Sequence, residues 1–267
     1  MKVRQVYESS GMKVLYIPVD GEGLCVDTLE GHQVRAVHVS PSHQFPLGVS
    51  MPAVRRHRLL QWAAVRGSYI IEDDYDSELR FSGNPLPSMA GIAPDRVIYL
   101  NTFTKTLSPG IRIAYMVLPP QLMAVYKKKL SFYSCTVSAT EQYTLASFIR
   151  EGYYGRHINR MRNFYRKQRA QIFEIVKSAS VRQRVTIEEA GAGLHFILHV
   201  RTDMPDEDLT GMLLKHGIRI RAVSDYCRYP GEEATHRLIV NYSDIDPELL
   251  RKAFDILGEV LEEAGPA

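Results

Sequence analysis

Lys105 stands among neighbours that suit covalent chemistry better than plain solvation. It lies in Thr102-Phe103-Thr104-Lys105, and Leu107-Ser108-Pro109-Gly110-Ile111-Arg112 follows closely. An amine can condense with a carbonyl ligand. Hydroxyls, turn N–H groups and a guanidinium fork can together cradle a phosphate. Lysines are mostly surface residues, so alone Lys105 reads as a solvated side chain. Thr102, Thr104 and Arg112 around it favour an anionic ligand that is also held covalently.

With Ile113-Ala114-Tyr115 added, the stretch resembles the Schiff-base segment of fold-type-I aminotransferases, S/T-x-S/T-K-x-L-x-P-G-x-R-x-G/A-Y, which bind pyridoxal 5'-phosphate (PLP). More narrowly it resembles the aminotransferase-like effector domain of MocR-type regulators, the GntR-family branch that joins such a domain to a DNA-binding winged helix. The resemblance runs over nearly the whole chain. It implies an α/β, fold-type-I aminotransferase-like architecture: a mostly parallel sheet with helices on both faces, plus a smaller C-terminal α+β lobe. Lys105 would hold PLP as a Schiff base, its basicity lowered by partial burial and by nearby cations such as Arg112. Asp73, Tyr75, Thr102, Thr104 and Arg112 would complete the cofactor site.

Asp73 and Tyr75 come from an acidic run. Glu72, Asp73, Asp74, Asp76 and Glu78 place five carboxylates within seven residues, directly after an apolar strand. Such a run is ordinarily a solvated loop or a divalent-cation site. A PLP site needs one buried carboxylate to keep the pyridine nitrogen protonated, and a phenol beside the ring. On an extended backbone residues i and i+2 point the same way, which groups Asp73 with Tyr75 and turns Asp74 away. Many aminotransferases place the acid three before the tyrosine, which would nominate Glu72 instead. We expect Asp73, 105 − 73 = 32 residues ahead of the lysine.

Further stretches share the resemblance. Pro41-Ser42-His43-Gln44-Phe45-Pro46-Leu47-Gly48 is similar to the regulator version of the aminotransferase N-P-T-G loop, with Phe45 where asparagine would touch the ring. His43 and Gln44 are alternative contacts, although a loop histidine is more often plain surface. His157-Ile158-Asn159-Arg160-Met161-Arg162 and Gly191-Ala192-Gly193-Leu194-His195 match other regulator patterns. The first is basic enough to suggest DNA contact, but a structural helix with a cationic outer face is the commoner explanation; His195 reads as core or hinge. The arginine that usually holds a substrate carboxylate falls on Ile239, leaving Arg221, Arg228 and Arg237 as candidates.

These residues need a scaffold. Apolar β-branched runs at Val34 to Val39, Tyr69 to Glu72, Val97 to Leu100 and Ile111 to Leu118 read as buried strands, as does Lys13 to Pro18. Met51 to Arg66 has helical spacing. Strands alternating with helices call for a mostly parallel sheet, whose ligands sit at the carboxyl ends of the strands. After Pro119, helices are expected at Gln121 to Phe132, Val137 to Glu151 and Tyr153 to Ser178. Strands at Val185 to Ala190, Leu194 to Val200, Ile218 to Val223 and Arg237 to Tyr242 follow, with helices at Asp206 to His216 and from Pro247. The expected division is 1–180, a partial PLP-binding domain with its long helix, and 181–267, the small lobe.

Composition sets outer bounds. Hydrophobic residues at 45% and charged residues at 24% are ordinary for a globular chain, and a net charge of +3 does not by itself argue for nucleic acid. Cys25, Cys135 and Cys227 are odd in number and widely spaced, which speaks against a disulfide framework or zinc site and for a reducing, cytoplasmic setting. No signal sequence or membrane-length apolar run is evident. On the family's pattern further residues would precede Met1, including the phosphate-gripping helix start and the winged helix. Expected partners are therefore a small-molecule effector (PLP or an amino acid), a second copy in a homodimer, and DNA only through a module outside this chain. The other readings are a PLP-dependent aminotransferase and a truncated module that never closes its site.

Overall fold

The computed structural model describes residues 2–81, 86–188, 192–228, 231 and 234–263. Two four-stranded sheets organise them. The first, in order β3-β4-β5-β6, joins Ala36–Val39, Tyr69–Asp73, Val97–Thr102 and Ala114–Val117. Its first three strands run parallel and β6 returns antiparallel. The second, in order β7-β8-β10-β9, is antiparallel throughout and joins Val185–Glu188, His195–Val200, Arg237–Asn241 and Arg221–Ala222. A short hairpin pairs β1 (Val19–Asp20) with β2 (Gly23–Leu24).

Burial along β4 alternates. Ile70 and Glu72 point inward, while Tyr69, Ile71 and Asp73 stay half-exposed. The inner face packs against α2 (Ala53–Arg66), whose Leu59, Leu60, Trp62 and Ala63 meet Val37, Val39, Ile70 and Val97. Each fully buried aliphatic side chain there contributes roughly 1.5–3 kcal/mol. Gly67 at φ 64° ends α2, its N–H closing on the carbonyls of Ala63 and Ala64. The four-residue helix α3 (Met89–Ile92) completes this layer. On the other face, α1 (Lys2–Ser9) reaches the sheet through Tyr7, whose hydroxyl lies 2.6 Å from His38 Nδ1 on β3.

The chain then crosses α4 (Pro120–Leu130) and α5 (Ala139–Arg150) into the 26-residue α6 (Tyr153–Ser178). Ser138 and Glu141 form a reciprocal capping box at the start of α5. The second sheet lays Phe196, Leu198, Val200, Leu238 and Val240 against α6, α7 (Asp206–Lys215) and α8 (Pro247–Glu263). The packed unit of the second lobe starts inside α6, because Tyr165, Ile172, Ile175 and Val176 belong to its core. Its opposite face carries Ile197 and Ile239, which pack with Leu47 from the first lobe.

Several sequence expectations are corrected. Lys13 to Pro18 forms no strand; only Val19–Asp20 is paired, in the hairpin. The strand expected over Ile218 to Val223 shrinks to Arg221–Ala222. The buried strand expected over Ile111 to Leu118 is Ala114–Val117, and all four of its residues are exposed. Among the described residues β6 is a sheet edge paired only with β5, so an apolar sequence has nothing to bury against. Glu189, Ala190 and Gly191, on which part of one expected strand and one motif fall, lie outside the described residues.

Candidate functional site at the lobe junction

β5 delivers Thr102 into the lysine loop. The Thr102 hydroxyl lies 2.9 Å from the Thr104 hydroxyl and 3.1 Å from the Ile113 carbonyl, and it accepts the Thr104 N–H at 3.1 Å. Past the lysine, Thr106 is fully buried and is held by α6: Tyr154 donates its hydroxyl to Thr106 Oγ1 at 3.1 Å and His157 Nε2–H donates to the Thr106 carbonyl at 2.8 Å. Arg162 Nε donates to the Glu78 carbonyl at 2.6 Å, so α6 also holds the acidic loop. The basic helix motif is thereby given a structural task. Arg112 has φ +48°. A non-glycine residue in the left-handed region costs about 1 kcal/mol, and such strain concentrates at functional sites.

A cavity of about 420 Å³ opens between the lobes, lined at its polar end by Phe45, Tyr75, Asp76, Lys105, His195 and Tyr226. Sites for small ligands usually fall in this size range. Asp73 and Thr102 line a different groove with Leu100 and Tyr115. Lys105 therefore shares a cavity with Tyr75, while Asp73 and Thr102 line a separate groove. The partial burial expected for Lys105 is absent: its side chain is exposed, as is that of Arg112.

The acidic run is sorted by burial. Glu72 is fully buried on the inner face and accepts the N–H groups of Met89 and Ala90, each at 2.9 Å, so it caps α3 and cannot serve a cofactor. Burial pushes its carboxyl up, against the lowering effect of those two bonds. Asp74 accepts the hydroxyls of Tyr99 and Ser77, each at 2.8 Å. Asp73 faces His38 Nε2 at 3.3 Å. An ionised carboxylate can only accept, so the His38 proton sits on Nε2 and Nδ1 is left to accept from the Tyr7 hydroxyl.

Asp76 is buried and pairs with the equally buried His43, Oδ2 to Nδ1 at 2.7 Å. Burial raises its carboxyl, opposed first by His43 and then by the charge of Lys105. Tyr75 reaches the same histidine: its hydroxyl lies 3.1 Å from Nδ1 and 3.2 Å from the His43 carbonyl. Burial holds this phenol protonated far above its usual range. His195 donates Nε2–H to the Pro46 carbonyl at 2.8 Å, and burial lowers it to about 4. Phe45 meets His195 and Tyr226 edge-on, with ring centroids 5.4 and 5.0 Å away.

Sequence reasoning missed Asp76 and gave His195 no place in the site. The period-two argument holds only along an extended strand, and β4 stops at Asp73. From Tyr75 the backbone turns, so Asp76 swings into the cavity beside Tyr75. Of the arginines proposed for an anionic ligand, Arg237 is engaged with Glu188, Nε to Oε1 at 3.0 Å with a second N–H on Oε2. Arg221 lines the cavity, with Asp225 3.6 Å away.

No protein-family model matches the chain. An uncharacterised HTH-type transcriptional regulator of Bacillus subtilis, YdeL, is 43% identical over 86% of the chain and 50% of its own length. The probable rhizopine catabolism regulatory protein MocR of Rhizobium meliloti is 35% identical over 93% of the chain and 50% of its own length. The chain thus spans about half the length of these relatives. Among solved structures, Pyrococcus horikoshii kynurenine aminotransferase, in complex with PMP, superposes with a TM-score of 0.78 at 27% identity, over 95% of this chain and 64% of that one. LysN, an α-aminoadipate aminotransferase from Thermus thermophilus complexed with N-(5'-phosphopyridoxyl)-L-leucine, gives 0.80 at 25% identity, over 97% and 68%.

Proposed function

The chain is a fold-type-I, aminotransferase-like domain of the MocR regulator type, and from that premise we propose that it binds PLP as a Schiff base on Lys105 and senses PLP or an amino acid. The observation that carries the reading is the single cavity shared by Lys105, Tyr75 and Asp76 in this fold. The residues fit such a ligand. In that cavity Lys105 supplies the amine and Tyr75 a protonated phenol; on the family's pattern Asp73 would meet the ring nitrogen, and Thr102, Thr104 and Arg112 the phosphate, although Asp73 and Thr102 line the separate groove. Bound PLP would supply an electron sink.

In this reading residues 1–180 carry the cofactor and 181–267 form the small lobe. DNA contact belongs to the HTH module of the longer relatives, and the working form is a homodimer. The E-D-D-Y-D-S-E and H-I-N-R-M-R runs, and Phe45 in place of the ring-touching asparagine of the enzymes, favour a sensor. The second reading, an aminotransferase acting on an amino-acid donor, draws support from the fold neighbours.

The test is to add PLP to the purified chain, record the visible absorption band of the lysine adduct, reduce with borohydride and map the label. Label on Lys105, lost in Lys105→Ala, is the expected result; the same label in that variant overturns the assignment. Conversion of amino-acid donors to keto acids would favour the enzyme.

A further inference from the structure

Three segments distant in sequence converge on His43: the loop before α2, the turn after β4 and the entry to β8. Its ring centroid lies 4.7 Å from that of His195 and 6.0 Å from that of Tyr75. His43 is 1% exposed and Asp76 4%. The 2.7 Å contact commits the Nδ1–H to the Asp76 carboxylate, so Nδ1 cannot also accept a proton from Tyr75. The Tyr75 hydroxyl must donate instead to the His43 carbonyl, 3.2 Å away. Its oxygen lone pairs are then free for a donor in the Lys105 cavity. The other ring nitrogen, Nε2, is buried and has no partner among the described residues, and the Cε1 edge of the ring lies against Gly193. A proton on that nitrogen would be a buried donor without an acceptor, which penalises the other tautomer. The imidazole is therefore held in one orientation and one proton arrangement.

We propose that the buried His43–Asp76 pair is a positioning device: it anchors the loop whose His43 carbonyl accepts the Tyr75 hydroxyl, and so fixes that phenol at the Lys105 cavity. This rests on the PLP reading above and extends it from the groups that would touch the ligand to the pair behind them. A buried carboxylate–imidazole pair has no evident use in a lobe junction that apolar packing could close. Its geometry instead determines where one cavity hydroxyl points. The charged or titratable groups around His43 are Asp76, Tyr75 and His195, with Lys105 beyond Asp76.

The experiment compares wild type, Tyr75→Phe, His43→Phe, His43→Gln and the Tyr75→Phe/His43→Phe double variant, each loaded with PLP. The readout is the pH midpoint of the visible band. A hydroxyl oxygen that accepts from a donor in the Lys105 cavity shifts that midpoint, so losing it should move it by about one pH unit. His43→Phe should move it in the same direction as Tyr75→Phe, the double variant no further than Tyr75→Phe alone, and His43→Gln back toward wild type. A His43→Phe midpoint equal to wild type, or additive shifts in the double variant, overturns the proposal. A wild-type chain that forms no band defeats the PLP reading instead. The pair is then tested without ligand by proton NMR: a downfield Nδ1–H resonance should persist in Tyr75→Phe and vanish in Asp76→Asn, and its absence from the wild type rules out the pair.

Discussion

The ring of His43 fills the space that a side chain at position 193 would need: a Cβ built on Gly193 would stand 1.9 Å from His43 Cε1 and 2.4 Å from Nδ1. Gly193 also has φ +78°, a conformation that side-chain-bearing residues rarely adopt. Two independent reasons thus require glycine where the second lobe meets the first.

Gly193→Ala is expected to cost about 2 kcal/mol or more, read as a lower urea midpoint at unchanged slope. In a His43→Ala background the steric part disappears and only the backbone strain remains. The second cost should therefore be clearly smaller than the first. Equal costs would show that the ring is not the obstacle.

Acid should weaken the fold through His195. Its folded value, about 4, lies below the ordinary 6.5, so the folded state prefers the uncharged ring. That contribution is complete above pH 6.5 and is lost as the pH falls from about 6.5 to about 4, amounting to on the order of 3 kcal/mol. Glu72, Asp76 and Glu78 are raised by burial and act in the opposite sense. The comparison must therefore be between wild type and His195→Asn, which keeps a donor for Pro46. Denaturant titrations over this window should show less stability lost on acidification in the variant than in wild type. Identical pH dependence in the two chains would remove His195 from this account.

Glu72 is a structural acid. Glu72→Ala strands two N–H groups at the start of α3 and should cost about 2–4 kcal/mol, while Glu72→Gln, which keeps one acceptor, should cost less. Neither should abolish the PLP band, because Glu72 faces the α2 layer. Loss of the band in a still-folded Glu72→Gln chain would return this residue to the cofactor site.

Arg112 holds a left-handed backbone conformation beside the lysine loop. Arg112→Gly relieves a left-handed backbone strain of about 1 kcal/mol and should leave thermal stability unchanged or raised. Affinity for PLP, measured by absorbance titration, should fall if the guanidinium meets the phosphate. Unaltered affinity would remove Arg112 from the site.

The lysine motif, the acidic run, the long helix Tyr153–Ser178 and the division into an α/β part and an α+β lobe were legible from residue types and spacing alone. That is because hydrophobic periodicity and motif spacing are local properties of the chain. The sorting of five adjacent carboxylates was not legible. Glu72 became a helix cap because its place in β4 turns it to the inner face, and Asp76 a histidine partner because β4 ends at Asp73 and the backbone then turns; where a strand stops depends on what packs beside it. His43 and His195 could not be joined from sequence either, since they lie 152 positions apart (195 − 43) and meet only when the two lobes close. Local chemistry named the groups; contact between distant segments decided which of them face one another.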